Sequence, residues 1–227
     1  MKQMILMICA LILTGCSAPA QPLQPAETPV PEHTPVPVTA TELPQKPVPE
    51  SAVAADSPLS ALNIDDYLFL EGVRYFDLRS ADQVYSEGGI AGFVNIPFYD
   101  VIVSWQKQEN VLFTMQKAAD NKETYLGGVG TFFPNYEESE TILNEIFPED
   151  QDIVFMSTAG VEAAYMINLL IQYGYDPARL YNAGTFTNGI GDTVAYRDLK
   201  DHRYYIEPLQ SFRASLSFDW GDMHILE

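Results

Sequence analysis

Ser157 and Glu162 are the side chains whose types and position invite chemistry, because they flank the point where a strand runs straight into a helix. In Asp152-Ile153-Val154-Phe155-Met156-Ser157-Thr158-Ala159-Gly160-Val161-Glu162-Ala163-Ala164, residues 153–156 form a short apolar run. A parallel sheet buries such a run on both faces. Residues 161–173 carry apolar side chains at helical spacing. Backbone N–H groups at a helix start lack internal acceptors and point outward, so a group at position 157 feels the positive end of the helix dipole. A Cys there would be an activated thiolate. A Ser hydroxyl is far harder to deprotonate than a thiol of pKa ~8.5, and a hydrolytic Ser needs a base. Phe155 and Ala159 exclude the G-x-S-x-G elbow, and the histidines are His33, His202 and His224, none of them close in sequence. The loop Ser157, Thr158, Ala159, Gly160, Val161 and Glu162 is therefore expected to be polar and non-catalytic, with Ser157 capping the helix.

The elements that must position this loop read as an α/β domain. Residues 62–70 suit a short helix with Asn63 as cap and Asp65 and Asp66 in its first turn. Val73-Arg74-Tyr75-Phe76-Asp77-Leu78-Arg79 reads as a strand, and Ser80 caps a helix reaching residue 85. After the glycine-rich break at residues 88–92 comes a second strand, residues 93–96, closed by Pro97, which cannot donate to a ladder. Strand, helix and strand in this rhythm predict a central, mostly parallel sheet flanked by helices, with right-handed crossovers. Residues 99–105 and 137–146 are read as further helices. Between them, Tyr125-Leu126-Gly127-Gly128-Val129-Gly130-Thr131-Phe132-Phe133-Pro134-Asn135-Tyr136 mixes glycine with aromatic residues, but no Lys-Ser/Thr follows to make a phosphate loop. It is expected to pack beside the strand-to-helix loop. Asp77, Arg79, Tyr125, Gly127, Gly128 and Gly130 are the candidate ligand mouth. Residues 192–227, rich in Tyr, Phe and Trp, lack a helical period and are expected to add strands or wrap the domain.

Two boxes carry a family resemblance. Asp77-Leu78-Arg79 followed by Tyr85-Ser86-Glu87-Gly88-Gly89-Ile90-Ala91-Gly92-Phe93-Val94-Asn95-Ile96-Pro97 closely resembles the first box of rhodanese-like domains, D-x-R then Y-x-x-G-H-I-x-G-A-x-N-I-P. The segment Ile153-Val154-Phe155-Met156-Ser157-Thr158-Ala159-Gly160 falls where that family has a strand and then C-x-x-G-x-R. Residues 171–184 resemble its L-x-x-x-G-[FY]-x-x-V-x-x-L-x-G-G stretch. The resemblance covers residues 62 to about 190. It implies a rhodanese-like fold with an inserted region at about 98–136 and a C-terminal extension at 192–227. In the family the loop Cys carries a persulfide cradled by loop N–H groups, and a neighbouring Arg or Lys often binds the anionic donor. Here Ser157 holds the Cys position and Glu162 stands where an Arg is common, so the resemblance implies a cradle without sulfurtransfer. Gly89 replaces the box's His.

The ends of the chain set its context. Lys2, an apolar run over residues 4–13 and then Leu13-Thr14-Gly15-Cys16 resemble a bacterial lipoprotein signal, residues 1–15, with Cys16 as the lipid-modified residue. Cys9 lies within that signal, so no thiol is expected in the mature domain, nor any disulfide, metal or other cofactor. Residues 17–60 hold 11 of the 16 prolines and no aromatic residue. They read as an extended tether, which leaves residues 61–227 as one domain. The net charge is −19, which excludes nucleic acid as a partner. Such an acidic surface suits solubility, with cation binding or a basic partner as the alternative. The expected function is an inactive rhodanese-like domain on an extracytoplasmic, membrane-anchored lipoprotein, binding a protein partner or small ligand. The alternatives are a hydrolase-type enzyme using Ser157, with His202 or His224 as its partner, and a purely structural envelope protein.

Overall fold

A computed structural model describes residues 40–45, 57–117, 130–189, 193–208, 221 and 223–226, all in the unit Val36–Glu227. In chain order the elements are β1 (Val73–Asp77), α1 (Ala81–Glu87), β2 (Gly89–Ile90), β3 (Val94–Asn95), β4 (Val103–Ser104), β5 (Phe113–Lys117) and β6 (Gly130–Pro134). There follow α2 (Ser139–Ile146), β7 (Asp152–Ser157), α3 (Val161–Gln172), β8 (Leu180–Thr185) and β9 (Tyr205–Ile206). The central sheet runs β3-β1-β7-β8, every pair parallel. A second sheet, β4-β5-β6, joins a parallel pair to an antiparallel one, and β2 pairs antiparallel with β9.

The strand period of two sorts the core onto the sheet's two faces. Phe76, Ile153, Phe155 and Leu180 enter one apolar cluster with Phe147 and the buried side of α3. Tyr75, Val154, Met156, Tyr181 and Ala183 enter the other with Ile90, Phe186 and Tyr196. From Ile153 on, β7 is buried at every position, which is why its sequence reads as an unbroken apolar run. In α3, apolar side chains are buried on almost every side, as expected of a helix set inside a core. Each large side chain removed from water there contributes roughly 1.5–3 kcal/mol. At α1, Ser80 and Gln83 form a capping box: the Ser80 hydroxyl accepts from the Gln83 N–H, and the Gln83 side chain accepts from the Ser80 N–H.

Several expectations differ from what is observed. The expected helix over 62–70 is a 3-10 turn, Ile64–Tyr67, and Asn63 does not cap it. Its Oδ1 accepts instead from Ser60 N (2.8 Å) and its Nδ2 donates to Pro58 O (2.9 Å), closing a local loop. Residues 99–105 are not one helix: a π-helical turn, Phe98–Ile102, passes into β4. The aromatic part of the expected 125–136 loop is strand β6, with Phe132 buried and Phe133 exposed in strand alternation. In the C-terminal extension β9 adds a strand to β2, and Ile225 bridges Tyr136, while residues 213–218 lie outside the described residues. The packed domain also reaches back into the segment read as tether. Leu43 and Leu59 belong to the second cluster, and Ala40 N donates to Asp66 O (3.2 Å).

Candidate functional site

The pairing of β1 with β7 sets Asp77 opposite Met156, so the start of the first box abuts the strand that delivers the loop. Both lie at the carboxyl ends of adjacent parallel strands. The loop leaves β7 at Ser157 and enters α3 through Gly160, whose φ of 78° is left-handed, a conformation glycine accepts without the Cβ penalty. Gly160 is the N-cap, and no side chain caps this helix. Ser157 therefore does not take the capping role expected of it. It is 0% exposed, and its Oγ finds no hydrogen-bond partner among the described residues.

The loop is fixed through its carbonyls. Thr158 O accepts from Thr187 N (3.2 Å), Asn188 N (2.9 Å) and Thr185 Oγ1 (2.7 Å). Gly160 O accepts from Ala164 N (3.1 Å) and from Asn182 Nδ2 (3.0 Å). The Thr158 hydroxyl accepts from Gln83 Nε2 (3.1 Å), tying the loop to α1. With the carbonyls held in this way, the N–H groups of residues 158–163 meet no acceptor among the described residues. They form a set of donors at the start of a twelve-residue helix. Glu162 stands in the first turn, where a carboxylate suits the dipole. Its Oε2 is buried without a partner.

Neither tail histidine is hydrogen-bonded to Ser157. His202 is stacked with Tyr196 and Tyr205, at ring-centroid distances of 5.6 and 4.6 Å. The exposed His224 ring meets Glu138 Oε1 at 2.6 Å. Ser157 thus has no base within hydrogen-bond reach among the described residues.

Of Asp77 and Arg79, expected at a ligand mouth, Arg79 faces inward, and Asp77, itself buried, lines a cavity with Val84, Ile90, Phe93 and Asn95. Arg79 is 1% exposed. Its Nη2 meets Asp77 Oδ2 at 2.6 Å and Gly88 O at 2.7 Å, its Nη1 meets Glu87 Oε2 at 3.3 Å, and its guanidinium carbon lies 3.4 Å from the Phe186 ring centroid. Its donors are spent on locking the end of β1 to the end of α1. Glu87 in turn accepts from Thr187 Oγ1 (2.6 Å), so the clamp also grips the segment that holds Thr158 O. Gly130 is a strand residue opposite Lys117, not part of a loop, and a Cβ there would meet the Met115 side chain at 3.1 Å. Tyr125, Gly127, Gly128 and Cys16 lie outside the described residues.

Sequence reasoning missed Gln83, Glu87, Asn182 and Thr187. Only Gln83 had a local signal, the Ser-x-x-Gln of a capping box. No family model matches the chain, and comparison with curated proteins and with solved structures gives no match.

Proposed function

We propose that this chain carries a rhodanese-like domain that has lost sulfur chemistry and binds a ligand or partner at the 157–162 loop. We further propose that it is displayed outside the cell on a lipid-modified Cys16. The observation that carries the reading is the loop itself: a buried Ser157 hydroxyl without a partner, followed by N–H groups at residues 158–163 that meet no acceptor among the described residues. The parallel register that sets Asp77 opposite Met156, beside the start of the loop, supports it. A hydroxyl cannot carry a persulfide, and Glu162 opposes an anionic sulfur donor. What such a loop can still do is hold an acceptor group against its N–H donors.

The test is cyanide-dependent thiocyanate release from thiosulfate by the purified full-length protein. The expected result is no release above a denatured control, and turnover well above it would overturn the reading. Mass spectrometry of the N-terminal peptide from cells tests the anchor, with lipid on Cys16 expected and an unmodified Cys16 thiol against it.

A further inference from the structure

Outside the 157–162 loop, one group of metal-ligating side chains comes together among the described residues: Glu137 and Glu138, just ahead of α2, and His224 in the C-terminal extension. One oxygen from each carboxylate and one ring nitrogen all lie within 4.8 Å of one another. Backbone pairing sets this arrangement. Tyr136 and Ile225 form an antiparallel bridge, Glu137 N donates to His224 O (2.9 Å) and Leu226 N donates to Asn135 O (2.9 Å), so His224 is held across from Glu137 by main-chain bonds alone. The Glu138 carboxylate is held as well: Oε2 accepts from His224 N (3.0 Å), and Oε1 meets the ring Nδ1 at 2.6 Å. Glu137 is exposed, and its carboxylate makes no ion pair among the described residues. Glu138 and His224 are 86 positions apart, so no ligand spacing is visible in the sequence.

A ring nitrogen beside two carboxylates selects among cations. Magnesium and calcium require roughly six to eight ligands, nearly all of them oxygen. Zinc takes imidazole nitrogen together with carboxylate oxygen, and water completes its tetrahedron. Ligand distances of roughly 2.0–2.2 Å put two tetrahedral ligands about 3.4 Å apart, so the three atoms need only small movements of their side chains. Two carboxylates balance the ion's charge and outweigh the roughly half charge at the start of α2. We propose that Glu137, Glu138 and His224 bind a divalent ion of the zinc class, which ties the C-terminal extension to the start of α2. The ion takes the place of the proton between His224 Nδ1 and Glu138 Oε1: the N–H bond breaks, its electron pair goes to the metal, and the proton leaves to water. Glu137, which otherwise contributes only its backbone to the fastening, supplies the third ligand.

The test uses metal-free full-length protein with labelled histidine rings, titrated with zinc chloride and, separately, with magnesium and calcium chlorides. Saturable movement of the His224 ring signals is expected with zinc, at least about tenfold tighter than zinc binds free imidazole, because two carboxylates join the one nitrogen. No such movement is expected with magnesium or calcium at the same concentrations. His202, whose ring is stacked with Tyr196 and Tyr205, is the control and should stay in place. Glu137→Gln keeps the main-chain bond to His224 O, so the extension remains fastened. It should nevertheless weaken zinc at least about tenfold, since losing even an outer-shell partner typically costs that much. Absence of saturable His224 movement with zinc, an affinity no better than that of free imidazole, an equal response to magnesium, or zinc affinity unmoved by Glu137→Gln would each overturn the proposal.

Discussion

Arg79 holds its charge almost wholly out of water, and its surroundings determine what that is worth. Against well-packed apolar groups a buried ion pair is often neutral or unfavourable, but breaking one by removing a single partner leaves a stranded charge. Arg79→Leu strands Asp77, which is 4% exposed. It is expected to cost about 3–5 kcal/mol. Adding Asp77→Leu to Arg79→Leu should recover part of that loss, because the stranded carboxylate goes with it. Urea unfolding midpoints of the two single variants and the double variant measure the coupling, and simple additivity would count against the clamp. The Asp-Leu-Arg sequence is easily seen, but the inward clamp made by its Arg79 is not. Of the residues that turn Arg79 inward, Glu87 and Gly88 belong to the same box, but Phe186 comes far later in the chain, where no local pattern connects it to Arg79. Ser157 was likewise legible as the residue at the head of the loop, but not as a buried hydroxyl without a partner, since burial there depends on how β8 and α3 close over β7.

Elements with an unbroken period were the most legible. The buried strand β7, the helix α3 behind it and the capped start of α1 all follow from local spacing and capping chemistry. Irregular elements were not: the π-helical turn Phe98–Ile102 carries apolar residues that suit an α-helix equally well. The C-terminal extension illustrates the same limit, because its contacts are with distant segments. Glu137 N donates to His224 O (2.9 Å), Leu226 N donates to Asn135 O (2.9 Å), and His224 N donates to Glu138 Oε2 (3.0 Å), fastening the extension just ahead of α2. Donating a hydrogen bond to the Glu138 carboxylate raises the His224 pKa above its ordinary 6.5, and accepting it lowers Glu138 below its ordinary 4.5. The signs follow from linkage. The His224 contribution is fully present below pH 6.5 and is lost as pH rises through its raised folded value. The Glu138 contribution is present above pH 4.5 and is lost as pH falls through its lowered folded value. The fastening is therefore strongest between those two limits, and it is weak in absolute terms because both groups are exposed. NMR titration of the His224 ring should give a midpoint above 6.5 that falls back toward 6.5 in Glu138→Gln. An unmoved midpoint would show that the pair does not form in solution.

Across the whole molecule, the segment at residue 40 and the segment 196–203 converge on the 3-10 turn Ile64–Tyr67. Asp65 and Asp66, read from sequence as carboxylates suited to a helix dipole, serve mainly as tertiary anchors. Asp65 accepts from Tyr196 Oη (2.7 Å) and Arg203 N (2.6 Å), and Asp66 meets Arg203 Nη2 at 2.6 Å. Burial, joined by the bond to Asp65, drives the Tyr196 hydroxyl pKa far upward, so this anchor keeps its proton across the working pH range. From the other end, Ala40 N reaches Asp66 O, and Leu43, 8% exposed, packs into the cluster that includes Leu59, Ile64 and Leu68. The proline-rich composition around Leu43 made it read as tether, because composition averages over a window and hides one well-placed apolar side chain. If Leu43 belongs to the core in solution, Leu43→Ala should lower stability by about 2 kcal/mol, the low end for a buried leucine, since its site lies near the surface. Deleting residues 1–45 should cost at least as much, because it removes the Ala40 bond as well. Urea unfolding of the full-length protein, the point variant and the truncation separates the outcomes. Equal midpoints for all three would return residues 40–45 to the tether and move the start of the domain to the segment around Leu59.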